Sequence, residues 1–128
     1  MRQMRILLID GHTSTYRSLK ATLPESDYAV TRVRDAESAL SLTDDQLPDV
    51  IILELALAGH SGAEFLYELR TYRDWMHIPV IVYSRVKVED EVQKSRTWKK
   101  LGIAHTFYKP ETTLANVRSA IEKLRTVE

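Results

Sequence analysis

Four polar residues, each closing an apolar run, are the ones equipped for chemistry. Asp10 follows Ile6-Leu7-Leu8-Ile9, Glu54 follows Asp49 to Leu53, Ser84 follows Val80-Ile81-Val82-Tyr83, and Lys109 follows Ala104 to Tyr108. If these runs are strands of one parallel sheet, two carboxylates, a hydroxyl and an amine converge on its carboxyl edge. Open α/β sheets gather ligands there, near the switch point in strand order. A single polar strand end is commonplace; four in register are far less so. The charges nearly balance, because Lys109, with Arg85 beside Ser84, opposes Asp10 and Glu54. Such a cluster can satisfy itself through charge-assisted hydrogen bonds without a metal.

The elements that must deliver these residues are legible in the hydropathy pattern. The four runs are apolar and β-branched without alternation, as a sheet buried on both faces requires. A fifth run, Tyr28-Ala29-Val30-Thr31-Arg32-Val33, alternates and reads as an edge strand. Between the runs lie helical stripes: Tyr16, Leu19 and Leu23, stopped by Pro24; Ala36, Ala39, Leu40 and Thr43, ending before Pro48; and Ala63, Leu66, Leu69 and Tyr72. A fourth stripe is Val88, Val92, Ser95 and Trp98, ended by Gly102 as a C-cap. A fifth, Leu114, Val117, Ile121 and Leu124, has Thr112 or Thr113 as its N-cap. The order is βα repeated five times, and right-handed crossovers place helices on both faces of a five-stranded parallel sheet.

With 128 residues, 44% hydrophobic and 28% charged, the chain is expected to be one domain over residues 1–128. Eighteen basic residues balance eighteen acidic ones, so no global field draws it to nucleic acid or to a membrane. No cysteine means no disulfide, no thiolate nucleophile and no Cys-ligated zinc. The run Val50–Leu53 is far too short to span a bilayer, and Met1-Arg2-Gln3-Met4-Arg5 does not begin a signal peptide, so a cytoplasmic location is expected. The four glycines form neither GxGxxG nor a Walker loop. Thr13-Ser14-Thr15 suits a helix cap better than a flavin-phosphate loop, and Ser84 lacks a nucleophile elbow. A zinc site from Asp10, His12, Glu54 and His60 fits in ligand type but lacks any paired spacing such as HExxH.

Over nearly its whole length the chain resembles the receiver domain of two-component response regulators. The matching pieces are Ile6–Asp10, Leu47-Pro48-Asp49 through Leu55, Gly59-His60-Ser61-Gly62, Ile78-Pro79 through Ser84, and Tyr108-Lys109-Pro110. The resemblance implies a flavodoxin-like (βα)5 α/β fold and a signalling rather than an enzymatic role. It also implies an aspartate after the third strand that accepts a phosphoryl group from a histidine kinase. An acidic pair after the first strand would hold Mg²⁺, and a Ser or Thr with a Lys would contact the phosphoryl oxygens.

The departures fall where that chemistry sits. Glu54 stands at the phosphoacceptor position, and Asp10 is followed by Gly11, so the metal-touching second acid is missing. Arg85 replaces the small residue after the hydroxyl, and Thr106 replaces the aromatic switch residue. Ser84 and Lys109 alone match their implied phosphoryl-contact roles, with Ser84 doubling as a switch position. Mg²⁺ needs near-octahedral oxygens at about 2.0–2.1 Å, so losing a ligand is serious and leaves Asp10 a weak or vestigial one. Glu54 moves its carboxylate outward by roughly 1.5 Å, one carbon–carbon bond. The reading is a divergent pseudo-receiver without a cofactor, with the Glu54 carboxylate lying where a phosphoryl group would and paired with Lys109 or Arg85. The alternative is a phosphorylatable receiver using Glu54 with weak Mg²⁺ binding.

Partners are expected to be signalling proteins, either a histidine kinase or an output domain. The resemblance also implies a homodimer face on the fourth helix, fifth strand and fifth helix, with Trp98, Lys99, Phe107 and Tyr108 as candidate contacts. The segment between Ser84 and Lys109 is a few residues longer than is usual for the family. Acids at its start and bases at its end suit the dipole of an exposed helix.

Overall fold

In the computed structural model, residues 2–59 and 61–127 are described, with backbone only at 126–127. Five strands, β1 (Met4–Ile9), β2 (Tyr28–Val33), β3 (Val50–Leu53), β4 (Val80–Ser84) and β5 (Ile103–Tyr108), form one parallel sheet in the order β2-β1-β3-β4-β5. The chain turns one way from β1 to β2 and the other way to β3, so the order reverses between β1 and β3. Asp10 and Glu54 close the two strands that flank this reversal, and their amides extend the ladders to Val33 and Ile9.

The unalternating strands are explained by two cores. Leu7, Ile9, Ile51, Leu53, Val80 and Val82 face one layer, which includes Ala36 and Ala39 of α2 (Ala36–Leu40) and Phe65, Leu66 and Leu69 of α3 (Gly62–Leu69). Met4, Ile6, Leu8, Val50, Ile52 and Ile81 face the other, with Leu19 of α1 (Thr13–Thr22) and Val117, Ala120 and Ile121 of α6 (Leu114–Val127). Successive residues point to opposite faces, so burial on both leaves no position for a polar side chain. The flavodoxin-like (βα)5 class and the edge position of β2 are as the sequence implies. β5 is the opposite edge, and none of its residues is fully buried.

Several helices depart from the pattern. The expected fourth helix is two short ones, α4 (Asp90–Gln93) and α5 (Arg96–Lys100), separated at Ser95. Ser95 is extended, and its hydroxyl accepts from the Trp98 amide at 3.1 Å, so a side-chain cap starts a new helix where the stripe continued. Leu101 closes α5, and Gly102 follows with φ +71, the left-handed turn that glycine adopts without penalty. Thr43 is not helical: α2 ends at Leu40, and Thr43 instead caps the 3₁₀ turn Asp44–Gln46, its amide donating to the Gln46 side chain at 2.9 Å.

Tyr72 lies beyond the end of α3, and Ala63 is exposed; the buried stripe is Phe65, Leu66 and Leu69. Residues Thr13–Thr15 lie inside α1, whose N-cap position is His12 without a side-chain cap. Of the two candidate caps for α6, Thr113 serves: its hydroxyl accepts from the Asn116 amide at 3.2 Å.

Candidate functional site

Asp10, Glu54 and Ser84 are the buried polar residues among those described, each with no exposed surface. Burying a carboxylate is costly unless hydrogen bonds and an opposite charge compensate it. Lys109, entering from the end of β5, supplies both. Its Nζ lies 2.7 Å from Asp10 Oδ2 and 3.1 Å from Glu54 Oε1, and its third contact is Thr15 Oγ1 at 3.4 Å. The same ammonium stands 5.3 Å from the centre of the Tyr83 ring. One side chain thus ties the ends of β1, β3 and β5 together.

Glu54 is surrounded by donors. The Ser84 hydroxyl donates to Oε2, the Ala56 amide donates to Oε2 at 3.2 Å, and the Arg85 amide reaches Oε1 at 3.1 Å and Oε2 at 3.3 Å. Ser84 Oγ in turn accepts from the amides of Leu55 at 3.2 Å and Val86 at 3.0 Å, which fixes its proton toward Glu54. Burial works to raise the Glu54 pKa, but the Ser84, Ala56, Arg85 and Lys109 donors outweigh it and hold the carboxyl below its ordinary value of 4.5. Asp10 follows the same balance: burial opposes its charge, while Lys109, the His12 amide at 2.8 Å and Thr15 lower its pKa. The arrangement is a cradle of two amides, a hydroxyl and an ammonium that holds an anion, and the anion is the chain's own side chain.

Arg85 and His12 stand over the pair from the surface. Arg85 Nε is 3.8 Å from Glu54 Oε1, its Nη2 is 3.4 Å from His12 Nε2, and His12 Nδ1 is 3.4 Å from Asp10 Oδ1. Thr15 and the two loop amides were the contributors that residue types alone did not assign to the cradle; backbone donors carry no sequence signal. Gly11 leaves room, since a Cβ built there meets only the Arg34 carbonyl, at 3.9 Å. Of the zinc set, His60 lies outside the described residues, and among those described no three His, Asp or Glu side chains gather as a metal would require.

The remaining sequence candidates lie away from the cradle. Thr106, on β5, accepts from the Trp98 indole Nε1 at 3.1 Å, so these two are paired with each other and not with Ser84. Trp98, Phe107 and Tyr108, expected as exposed anchors, are half-buried. Phe107 packs against the core beneath α1 and α6 and stacks on His105, and Lys87 lies over the Tyr108 ring. Lys99 is exposed as expected, whereas the exposed aromatic side chains are Tyr67 and Tyr72 on and after α3.

The model of the response regulator receiver domain matches residues 6–122. The transcriptional regulatory protein KdpE of Mycobacterium tuberculosis is 32% identical over 119 residues, which are 92% of this chain and 51% of that protein. The two-component response regulator-like APRR1 of Arabidopsis thaliana is 32% identical over 113 residues, 87% of this chain and 18% of that protein. This chain therefore spans about half of one relative and under a fifth of the other. Among solved structures, the chemotaxis response regulator CheY4 of Vibrio cholerae superposes with a TM-score of 0.78 at 20% identity, covering 96% of this chain and 99% of that one. No helix among the described residues is long and apolar enough to cross a membrane. By its sequence match and by the sheet order that CheY4 shares, this chain belongs to the response regulator receiver domain family of two-component signalling.

Proposed function

We propose that this receiver domain signals through protein–protein contacts without taking up a phosphoryl group, its phosphoacceptor site being degenerate. The observation that carries the reading is the occupancy of the cradle: Glu54 already receives the Ser84 hydroxyl, the Lys109 ammonium and the amides of Ala56 and Arg85. In the family those are the kinds of group that contact a phosphoryl oxygen. A carboxylate held by all of them is poorly placed as an acceptor, and a misplacement of about 1 Å can cost on the order of a hundredfold in rate. The donor set also argues against Mg²⁺. Gly11 offers no oxygen from a side chain, and the Lys109 ammonium sits within 3.1 Å of both carboxylates, where a divalent cation would meet repulsion. On this reading Glu54 acts as a permanent stand-in for the phosphoryl group and holds one conformation.

The partners proposed are the proteins a receiver ordinarily meets, a histidine kinase or an output domain. The surface of α4, α5, β5 and α6 is the face through which this chain would pair with a second copy. The test is incubation of the chain with acetyl phosphate and Mg²⁺ followed by intact-mass measurement. The expected result is no change in mass. A stoichiometric gain of one phosphoryl group at Glu54 would establish the alternative, a working receiver with a glutamate acceptor.

A further inference from the structure

β2 is one edge of the sheet, and no strand lies beyond it. It pairs with β1 in unbroken register from Met4↔Tyr28 to Ile9↔Val33, whereas the opposite edge carries a register shift between Val80 and Ile81. The Asp27 and Val33 carbonyls accept from the amides of Met4 and Asp10, at 2.8 and 3.1 Å. Backbone groups alternate in direction along a strand, so those of Val30 and Arg32 point outward, away from the sheet. Proteins blunt such edges with lysine, proline, a bulge or a covering element. Residues 28–33 include neither lysine nor proline, and no bulge interrupts them. Both faces beside this edge are hollow. Ala29 and Thr31 share a face with Leu7, on the α2 side, and with Leu42 and Pro48 they line a recess of about 260 Å³. Tyr28 and Val30 face α1, and with Lys20 they line a second recess of about 400 Å³. An added strand sends successive side chains to opposite faces, so recesses on both are what edge pairing uses.

The charges say which strand fits. The turn before β2 carries Glu25 and Asp27, and the far end of β2 carries Arg32 and Arg34. Glu25, Asp27 and Arg34 are exposed, and Arg32 is half-buried. The ion pairs here are loose and close in sequence, Lys20 with Glu25 at 3.8 Å and Arg34 with Asp35 at 3.5 Å. The segment is thus acidic at its start and basic at its end, and an antiparallel copy of itself reverses that order.

We infer that β2 pairs antiparallel with β2 of a second copy of this chain across a two-fold axis, continuing the sheet from one copy into the other. With Val30 opposite the second copy's Val30, the two exchange N–H and C=O, and the Arg32 amide donates to the second copy's Tyr28 carbonyl. The Tyr28 amide already donates to the Pro24 carbonyl at 3.0 Å and keeps that bond. Thr31 then stands opposite the second copy's Ala29, the smallest side chain of β2, at the recess on the α2 side. Arg32 and Arg34 of each copy lie along the acidic turn of the other, so the contact is self-complementary in this direction and repulsive in the parallel one. An extended segment of arbitrary sequence satisfies the backbone but not this order of charges.

β5 is the other edge of the sheet, so this contact is separate from the face formed by α4, α5, β5 and α6, and it does not involve Glu54. Sedimentation velocity and amide hydrogen exchange of the full chain are followed from about 10 μM to about 1 mM, the range of a weak edge contact. The expected result is a reversible monomer–dimer equilibrium, with exchange at Val30 and Arg32 slowing as concentration rises. D27K and R34E each set like charges together twice across the axis and should weaken dimerisation at least about tenfold. The D27K/R34E double variant restores opposite charges and should return to within about threefold of the parent. All three variants should keep the parent's circular dichroism. A chain still monomeric at about 1 mM, a dimer indifferent to either reversal, or a double variant no tighter than the singles would overturn the proposal. Protection confined to residues 94–108 would overturn it too, by placing the dimer at the other edge. So would a chain that stays monomeric while a synthetic peptide of residues 25–34 protects Val30 and Arg32, since the edge then takes a partner's strand.

Discussion

On the proposed reading, the chemistry of this molecule turns on one methylene and one missing side chain. Glu54 takes four donors of three kinds for itself, a hydroxyl, an ammonium and two amides, and Gly11 adds no side-chain oxygen beside Asp10. The substitutions were legible in the sequence, as was the pairing of Glu54 with a cation, because charge balance requires one; that Lys109 makes the 3.1 Å contact while Arg85 Nε stands at 3.8 Å was not. The exhaustion of the cradle by the Ala56 and Arg85 amides was not, since any residue type supplies an N–H. Replacing Glu54 by Gln keeps the shape and removes the charge, and should cost roughly 1–3 kcal/mol at neutral pH, because hydrogen bonds to a buried charge weaken. The pH dependence fixes the cause. The Glu54 pKa is lowered in the folded chain, so its contribution is present above the ordinary value of 4.5 and is lost as pH falls through the folded value. Urea midpoints of parent and E54Q should therefore converge as pH is taken below about 4.5. A difference that persists unchanged into acid assigns the loss to packing instead. In the opposite direction, a Cβ at Gly11 meets nothing closer than 3.9 Å, so aspartate is sterically admissible there. The G11D/E54D chain, with a second acid and an acceptor of ordinary length, is expected to gain one phosphoryl mass from acetyl phosphate with Mg²⁺ where the parent gains none.

At the scale of elements, the sheet was the legible part and the helices past β4 were not. Strands buried on both faces must be apolar throughout, and that constraint wrote Ile6–Ile9 and Val80–Tyr83 plainly into the sequence. The single stripe from Val88 to Trp98 was misleading because Ser95 fits both the stripe and a cap, and the cap prevails: its hydroxyl accepts from the Trp98 amide. Nor did anything in the pattern announce Arg70, whose half-buried guanidinium caps two carbonyls from segments distant in sequence. A Cβ on Gly102 would come within 2.6 Å of Arg70 Nη2, and the residue also has φ +71. Gly102→Ala is therefore expected to destabilise by more than about 1 kcal/mol, from backbone strain together with displacement of the guanidinium. Arg70→Met should cost about 1–3 kcal/mol by leaving the Leu101 and Trp75 carbonyls without their donor. The double variant should lose less than the sum, because each change damages the same contact. Additive losses in thermal unfolding would separate the two effects and remove the staple from the account.

For the whole molecule, the question is what holds the carboxyl edge of the sheet closed, and the answer is a single ammonium. Lys109 spans from β5 to the carboxylates that close β1 and β3, and both acids lie at zero exposure. Removing it by Lys109→Met preserves most of the stem's packing and strands two buried negative charges side by side. Breaking a buried pair in this way typically costs about 3–5 kcal/mol. Burial and mutual repulsion then both raise the folded pKa values of Asp10 and Glu54, so the folded chain binds protons more tightly than the unfolded one. Stability that depends on a raised carboxyl pKa grows as pH falls toward the unfolded value. The parent, whose acids are held low, should lose stability over the acid range, while the Lys109→Met chain should gain it between pH 7 and about 5. Opposite slopes in denaturant midpoint against pH are the expected outcome. Parallel slopes would mean that Arg85 and the surrounding amides neutralise the pair unaided, and that the edge is held by the strand ladders and not by the charge at its centre.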